Sequence, residues 1–280
     1  MPEPLPPPTA GLDIVIVSYN VRDDLDRCLA SLAADPATRP RRVTVVDNAS
    51  DDGTLAHLRQ RWPAVAAIDA GANLGFARAN NLGLRATTHP LVLLLNPDTT
   101  VGRGQIDRLA AALEADPGAA AAGPRLVDAE GRPEISFGPP LSPWGEFRQR
   151  RLMRAYAAGT AWAVARVARE TTRPGPRAWL SAACLLVRRA DLEAVGLLDE
   201  RFFMYTEDVD LCVSLGARGR RVIFVPEATI SHWRGRAGAG DPTATARRRR
   251  DSHLAYYRKH HPGWAPLLAW WLRRRGFDVR

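Results

Sequence analysis

The chain has 280 residues, 46% hydrophobic and 25% charged, an ordinary balance for a folded, water-soluble protein with one large domain or one domain and an appendage. Three widely spaced cysteines (Cys28, Cys184, Cys212) and no CxxC pair exclude a disulfide framework and a zinc ribbon, and predict a reducing, cytoplasmic setting. The net charge is +9, but residues 247–280 hold ten Lys/Arg against two acids, so the excess is local to that tail and the rest of the chain is close to neutral.

Residues 1–11 are proline-rich and lack the basic and apolar regions of a signal peptide, so they read as a disordered lead-in. Residues 13–18 (DIVIVS) form a short β-branched run of the kind buried in a parallel sheet. Residues 21–32 carry Val21, Leu25, Cys28, Leu29 and Leu32 at helical spacing. A second strand over 42–46 ends at Asp47-Asn48, and a helix over 52–61 follows with Ser50 or Asp51 as cap. A weak strand over 65–68, a helix over 76–86 and a strongly apolar strand over 90–95 lead to Asn96-Pro97-Asp98. A helix over 106–115 stops before Pro117. This βαβ alternation predicts an α/β fold with a mostly parallel central sheet and helices on both faces. Ser18-Tyr19-Asn20, Asp47-Asn48 and Asn96-Pro97-Asp98 all follow strands, which places them on the edge where open α/β sheets bind ligands.

The second half is less regular. Short strands are expected over 119–137, a basic, Trp-containing helical insertion over 139–177, a strand over 179–188 and a short helix over 191–195. A helix over 207–216 opens on Glu207-Asp208, and a strand over 221–225 precedes His232 in a loop beside Arg234 and Gly235. The domain is expected to span 12–240, with a basic aromatic tail over 241–280.

Asp98, at the end of a buried strand, suits one task well. A diphosphate leaving group needs its charge neutralised, and Mg²⁺ or Mn²⁺ does so through oxygen ligands. Glu207 and Asp208 suit a general base that deprotonates an attacking hydroxyl, and His232 suits a metal or phosphate ligand, with imidazole favouring Mn²⁺. Each has a plain alternative: a carboxylate at a strand end or helix start also caps it, and a lone histidine is commonly structural. Asp210, two residues beyond Asp208, should point elsewhere and is read as structural.

Taken in order, DIVIVSYN (13–20), VVDNASDDGT (45–54), GANLGFARANNLG (71–83), LLLNPDT (93–99), DERFFMYTEDVDLC (199–212) and PEATISH (226–232) resemble family 2 glycosyltransferases of the GT-A fold, and within them the bacterial rhamnosyltransferases of cell-wall and O-antigen assembly. The resemblance covers about residues 12–236. It implies that Asp47 reads the nucleotide base with Ser18, Tyr19 and Asn20 around it, that Asn73, Arg78 and Asn81 line the nucleotide-sugar site, and that Asn96 and Asp98 stand where the metal motif has two acids. The first acid is asparagine here, which leaves Asp98 as the main metal carboxylate and His232 as its complement. Asp208 matches the base, with Glu207 beside it. Relatives carry a glycine near Ala182, where donor and acceptor sugars meet. The implied reaction moves a sugar, rhamnose or similar, from a dTDP- or UDP-sugar to a lipid-linked or polysaccharide acceptor with inversion. A non-catalytic nucleotide-sugar-binding module would not need Glu207-Asp208 with His232. A nucleotidyltransferase would carry a Gly-rich basic loop after the first strand, and Ser18-Tyr19-Asn20-Val21 is not one.

The tail interleaves Arg247–Arg250 and Arg273–Arg275 with Tyr256, Tyr257, Trp264, Trp270 and Trp271. It reads as a terminal helix packing its tryptophans on the domain, as an interfacial helix making peripheral contact with the cytoplasmic face of an anionic membrane, or as a nucleic-acid arm. The enzymatic motifs argue against nucleic acid.

Overall fold

The computed structural model describes residues 10–233 and 242–278. Most of the lead-in, Arg234, Gly235 and the expected boundary between domain and tail lie outside the described residues. The first half comprises β1 (Leu12–Ser18), α1 (Arg22–Ala34), β2 (Arg41–Asp47), α2 (Thr54–Arg61), β3 (Ala66–Asp69), α3 (Phe76–Arg85), β4 (Leu91–Leu95), β5 (Thr99–Val101) and α4 (Gln105–Ala115). β1 is buried along its whole length because it pairs in parallel with β2 on one side and β4 on the other. With β3 beside β2, four parallel strands run in the order β3-β2-β1-β4. Side chains alternate across them. Ile14, Ile16 and Leu93 pack with Leu25 and Leu29 of α1 and Leu109 of α4, while Val15 and Leu94 pack on the other face with Leu84 of α3.

The second half adds β6 (Ala119–Val127), β7 (Phe137–Gly138), α5 (Pro143–Ala157), α6 (Ala161–Glu170), β8 (Gly175–Pro176), β9 (Trp179–Leu180), β10 (Cys184–Arg188), α7 (Arg189–Ala194), α8 (Glu207–Ala217), β11 (Arg221–His232), α9 (Pro242–His260) and α10 (Ala265–Arg274). The sheet continues from β4 through β10, β6 and β11 to β5. β10 is antiparallel to both β4 and β6. β11 runs parallel to β6 and antiparallel to β5. The result is an α/β fold with a mixed sheet, parallel through its first four strands, and helices on both faces. The three cysteines are buried and free.

Three departures from the sequence reading shape the ligand edge. The strand expected over 179–188 is broken: Trp179–Leu180 pairs with β7 in a separate two-stranded sheet, and Ser181–Ala183 leaves the ladder. Its backbone N–H groups donate instead to the Ser136 carbonyl, the Asp208 carboxylate and Ser181 Oγ. Secondly, the last strand does not stop at Val225 but runs on to His232, absorbing Pro226 at a register shift between Val225 and Thr229. His232 therefore sits in a strand and not in a loop. Thirdly, β5 was not anticipated. Thr99-Thr100-Val101 is short but β-branched, and it pairs with the end of β11 so that Thr99 faces His232.

The basic tail folds back on the domain. Tyr256, Tyr257 and Ala265 pack with Phe202 and Val209. Buried Asp210 accepts from Lys259 Nζ at 2.9 Å and lies 2.6 Å from His260 Nε2, so this acid is a clamp for the tail, as its position on the helix suggested.

Candidate active site

At the carboxyl ends of β1, β2 and β4 lies a cavity of about 540 Å³. Tyr19, Asn73, Asn96, Asp98, Glu207, Asp208 and His232 all line it. Asn48 and Ala182, which the sequence placed on the ligand edge and at the meeting of the sugars, line it too, as do Tyr205, Thr206 and Arg249, which the sequence reading did not single out.

On the β1–β2 side, the loops are stitched by side chains. Asn48 Nδ2 donates to Asn73 Oδ1 (3.0 Å), and Asn48 Oδ1 accepts from the Leu74 N–H (2.8 Å). Asn20 accepts from the Asp51 N–H and its own N–H donates to Ser50 Oγ, with Asn20 and Ala49 both in the left-handed region (φ 54° and 65°). Asp47 is buried and accepts from the Ser50 N–H at 3.1 Å, which leaves its Oδ1 and the buried Ser18 Oγ without a protein partner among the described residues. Buried polar atoms are rarely left unpaired. Both atoms are closed to solvent, and Ser18, Asn20 and Asp47 lie beneath or beside the cavity and not in its lining. Gly75 adopts φ 79°, and a Cβ there would run into the Phe203 carbonyl, which accepts from the Phe76 N–H at 2.6 Å. This contact draws the loop before α8 over the cavity. Arg78 and Asn81 stand apart. Arg78 is exposed and 3.6 Å from Glu200, and Asn81 is buried against the Leu198 backbone and Glu200. Neither lines the cavity.

The β5–β11 pairing brings Asp98 and His232 together. The Trp233 N–H donates to the Asp98 carbonyl at 2.8 Å, and His232 Nε2 lies 3.4 Å from Asp98 Oδ1, which has no hydrogen bond of good geometry. His232 Nδ1 lies 3.0 Å from Glu134 Oε2. Burial pulls the imidazole pKa down, but the two carboxylates outweigh it and push it up to about 9. A cation arriving between Asp98 and His232 would displace the Nε2 proton, since only neutral imidazole ligates. One carboxylate and one imidazole oriented by a second carboxylate then fit a divalent ion such as Mn²⁺. Asp98 and His232 would hold it and Glu134 would orient His232. Glu134 lies outside every motif, and nothing local in the sequence marks it.

Glu207 and Asp208 open α8 after Tyr205 and Thr206, two consecutive non-glycine residues with φ 71° and 76°. Such residues cost roughly 1–2 kcal/mol each, and they aim the helix start at the cavity. Asp208 accepts from the Val209 N–H (2.8 Å) and the Ala182 N–H (3.2 Å). Glu207 is buried, and its Oε2 has no partner among the described residues. Burial raises both pKa values, and repulsion from Asp208 raises that of Glu207 well above the carboxylate range. Glu207 therefore takes a proton first, and Asp208, held by two N–H donors, is the carboxylate that stays ionised and free to accept one.

The model of the family described as glycosyltransferase like family 2 matches residues 7–264. The chain belongs to this glycosyltransferase family. The enzyme is 36% identical, over 95% of its own length and 90% of the relative's, to the N-acetylglucosaminyl-diphospho-decaprenol L-rhamnosyltransferase of Mycobacterium tuberculosis. It is 28% identical over 72% of its length to the low-salt glycan biosynthesis hexosyltransferase Agl10 of Haloferax volcanii, of which it covers 60%. Among solved structures it resembles GalNAc-T7 with UDP, GalNAc and Mn²⁺ (TM-score 0.65, 16% identity, 90% of this chain, 48% of that one). It also resembles the mannosyltransferase PcManGT of Pyrobaculum calidifontis in complex with GDP-Man and Mn²⁺ (TM-score 0.59, 21% identity, 96% of this chain, 70% of that one). These likenesses establish the GT-A fold for the enzyme.

Proposed function

We propose that this glycosyltransferase moves rhamnose or a similar sugar from a dTDP- or UDP-sugar to a saccharide carried on a lipid diphosphate, with inversion and with Mg²⁺ or Mn²⁺ bound. The observation that carries the reading is the convergence, on one cavity, of Asp98 and His232, the latter backed by Glu134, with the Glu207–Asp208 pair. The 36% identity to a rhamnosyltransferase named for a diphospho-decaprenol acceptor supports the substrate class, and structural relatives holding Mn²⁺ with a nucleotide or nucleotide-sugar support the cofactor.

In this reading, the nucleobase lies over Asp47 and Ser18, with Tyr19 beside it, and the diphosphate lies toward Asp98 and His232. A bound metal supplies charge neutralisation to the departing diphosphate. Asp208 removes the proton of the acceptor hydroxyl as its oxygen attacks the anomeric carbon from the side opposite the leaving group. Such a single displacement inverts that centre. The Ala182 and Val209 N–H groups fix the Asp208 carboxylate, and Glu207 stays protonated beside it. The basic aromatic tail makes peripheral contact with the cytoplasmic membrane face.

A thermal-shift screen of nucleotide-sugars with Mn²⁺ or with chelator tests the reading. A true donor present at about a hundred times its Kd stabilises the fold by about 2.7 kcal/mol, only with metal, and then supports transfer to a saccharide-diphospho-lipid. A screen in which no nucleotide-sugar raises the melting point with Mn²⁺ would contradict it.

A further inference from the structure

A second cavity, of about 1490 Å³, lies between α5 and α6 on one side and α9 and α10 on the other. Its wall is aromatic and exposed. Phe147, Trp162, Trp264, Leu267 and Trp271 line it at 56%, 49%, 52%, 55% and 40% exposure. A contiguous apolar surface of this kind on a folded domain marks a binding site. Arginines are set among these side chains. Arg151 and Arg154 line the groove and have no carboxylate partner among the described residues. The acid in the groove lining, Glu146, is already bound to His253, Tyr257 and Arg150. Tyr205, Thr206 and Arg249 line both this groove and the active-site cavity, and Arg249 stacks over the Tyr205 ring at 4.5 Å. The groove thus opens into the active site beside the Glu207–Asp208 helix start.

We infer that this groove is the acceptor subsite for the isoprenoid diphosphate: Arg151 and Arg154 take the diphosphate charge, the tryptophans take the first isoprene units, and Tyr205–Thr206 pass the attached sugar to Asp208. The inference rests on the lipid-linked reading of the acceptor. Three observations select this occupant. The groove pairs apolar area with free guanidinium groups, as an amphiphile of one anionic junction and one hydrocarbon chain requires. It is concave, where a bare membrane surface would meet a convex face. And it is continuous with the site of chemistry.

The test uses the full chain and two synthetic acceptors carrying the same saccharide diphosphate, one on a long polyprenyl chain and one on a short water-soluble alkyl chain, both in detergent. The wild-type enzyme should show a KM for the long-chain acceptor about tenfold or more below that for the short one. Trp162→Ala with Trp271→Ala should collapse that ratio, as loss of aromatic anchors does. Arg151→Glu with Arg154→Glu should raise KM for both diphosphates and not for the saccharide lacking diphosphate. Donor affinity, unchanged in each, shows that the fold is intact. If the wild type uses the long-chain acceptor and both double variants match it, the groove is not the subsite and the lipid-linked reading stands. The groove is likewise ruled out as the subsite if the variants lose only binding to anionic vesicles, which makes the surface a membrane dock. If neither lipid diphosphate accepts sugar while the donor still binds, the lipid-linked reading fails, and the subsite with it.

Discussion

The two halves of the ligand edge are built by different means. From β1 to β4, each functional loop follows a regular parallel strand, and Asn48, Asn73, Asn20 and Ser50 tie those loops to one another. Beyond β4, the side chains are delivered by irregularities: a strand broken at Ser181–Ala183, two left-handed residues before α8, and a strand that shifts register on its way to His232. The two regions differ in that the donor-side loops follow a repeating βα rule, while Asp208 and His232 sit beside a broken strand and at the end of a register-shifted one. Both hold left-handed non-glycine residues, Asn20 and Ala49 in the first and Tyr205 and Thr206 in the second. Strain of this sort persists only where the surroundings over-determine it. Here the over-determination is visible in the Gly75–Phe203 contact and in the Asp210 clamp on Lys259 and His260.

This contrast can be broken at several points. Asp208→Asn should have the largest effect, lowering turnover by roughly 10²–10⁴-fold, the usual contribution of a positioned base, while leaving the donor Kd within about twofold. Steady-state kinetics together with donor titration check both halves of that statement, and normal turnover would remove Asp208 from its role. Gly75→Ala comes next. Its methyl must displace the Phe203 backbone at a left-handed position, so a loss of about 1–3 kcal/mol in denaturant unfolding is expected, with the loop before α8 loosened and kcat reduced. A variant as stable as wild type would show that the contact is not needed to place α8.

Glu207→Gln has the smallest effect and a distinctive sign. Burial and Asp208 raise the Glu207 pKa above its unfolded value, so the native state holds a proton that the unfolded chain has released. The cost is absent below the unfolded pKa of about 4.3. It grows as pH rises toward the raised native value. Wild type and Glu207→Gln should melt together near pH 4, and the variant should gain on the wild type as pH rises toward 8. Parallel melting curves across that range would mean that Glu207 is ionised in the native state.

Much of the first half was legible because its information is local. Apolar runs such as Ile14–Val17 and Leu91–Leu95 announce buried strands, and the polar residues that follow them fall on one edge by the topology of parallel sheets. Asp98 and Tyr19 were found that way and line the cavity, as does Asn73, which the family resemblance supplied. Arg78 and Asn81, which the resemblance set on the same motif as Asn73, turn toward Glu200, because a helix presents successive residues to different sides. What stayed hidden was non-local. Glu134 acts on His232 across 98 positions in sequence, and β5 acquires its meaning only when β11 pairs with it. The break at Ser181–Ala183 is invisible in an apolar stretch, since the Ala182 N–H leaves the ladder for a carboxylate 26 residues away. The tail packs on the domain through Tyr256 and Tyr257, and not through its tryptophans as expected: Trp264, Trp270 and Trp271 are exposed.

The division between metal-bearing and proton-accepting residues is tested most directly by donor titration against Mn²⁺, run in parallel on wild type, Asp98→Ala and Asp208→Asn. Wild type and Asp208→Asn should bind the nucleotide-sugar more tightly as Mn²⁺ is added, whereas Asp98→Ala should bind it weakly and equally with Mn²⁺ or chelator. A full Mn²⁺ response in Asp98→Ala would contradict the account.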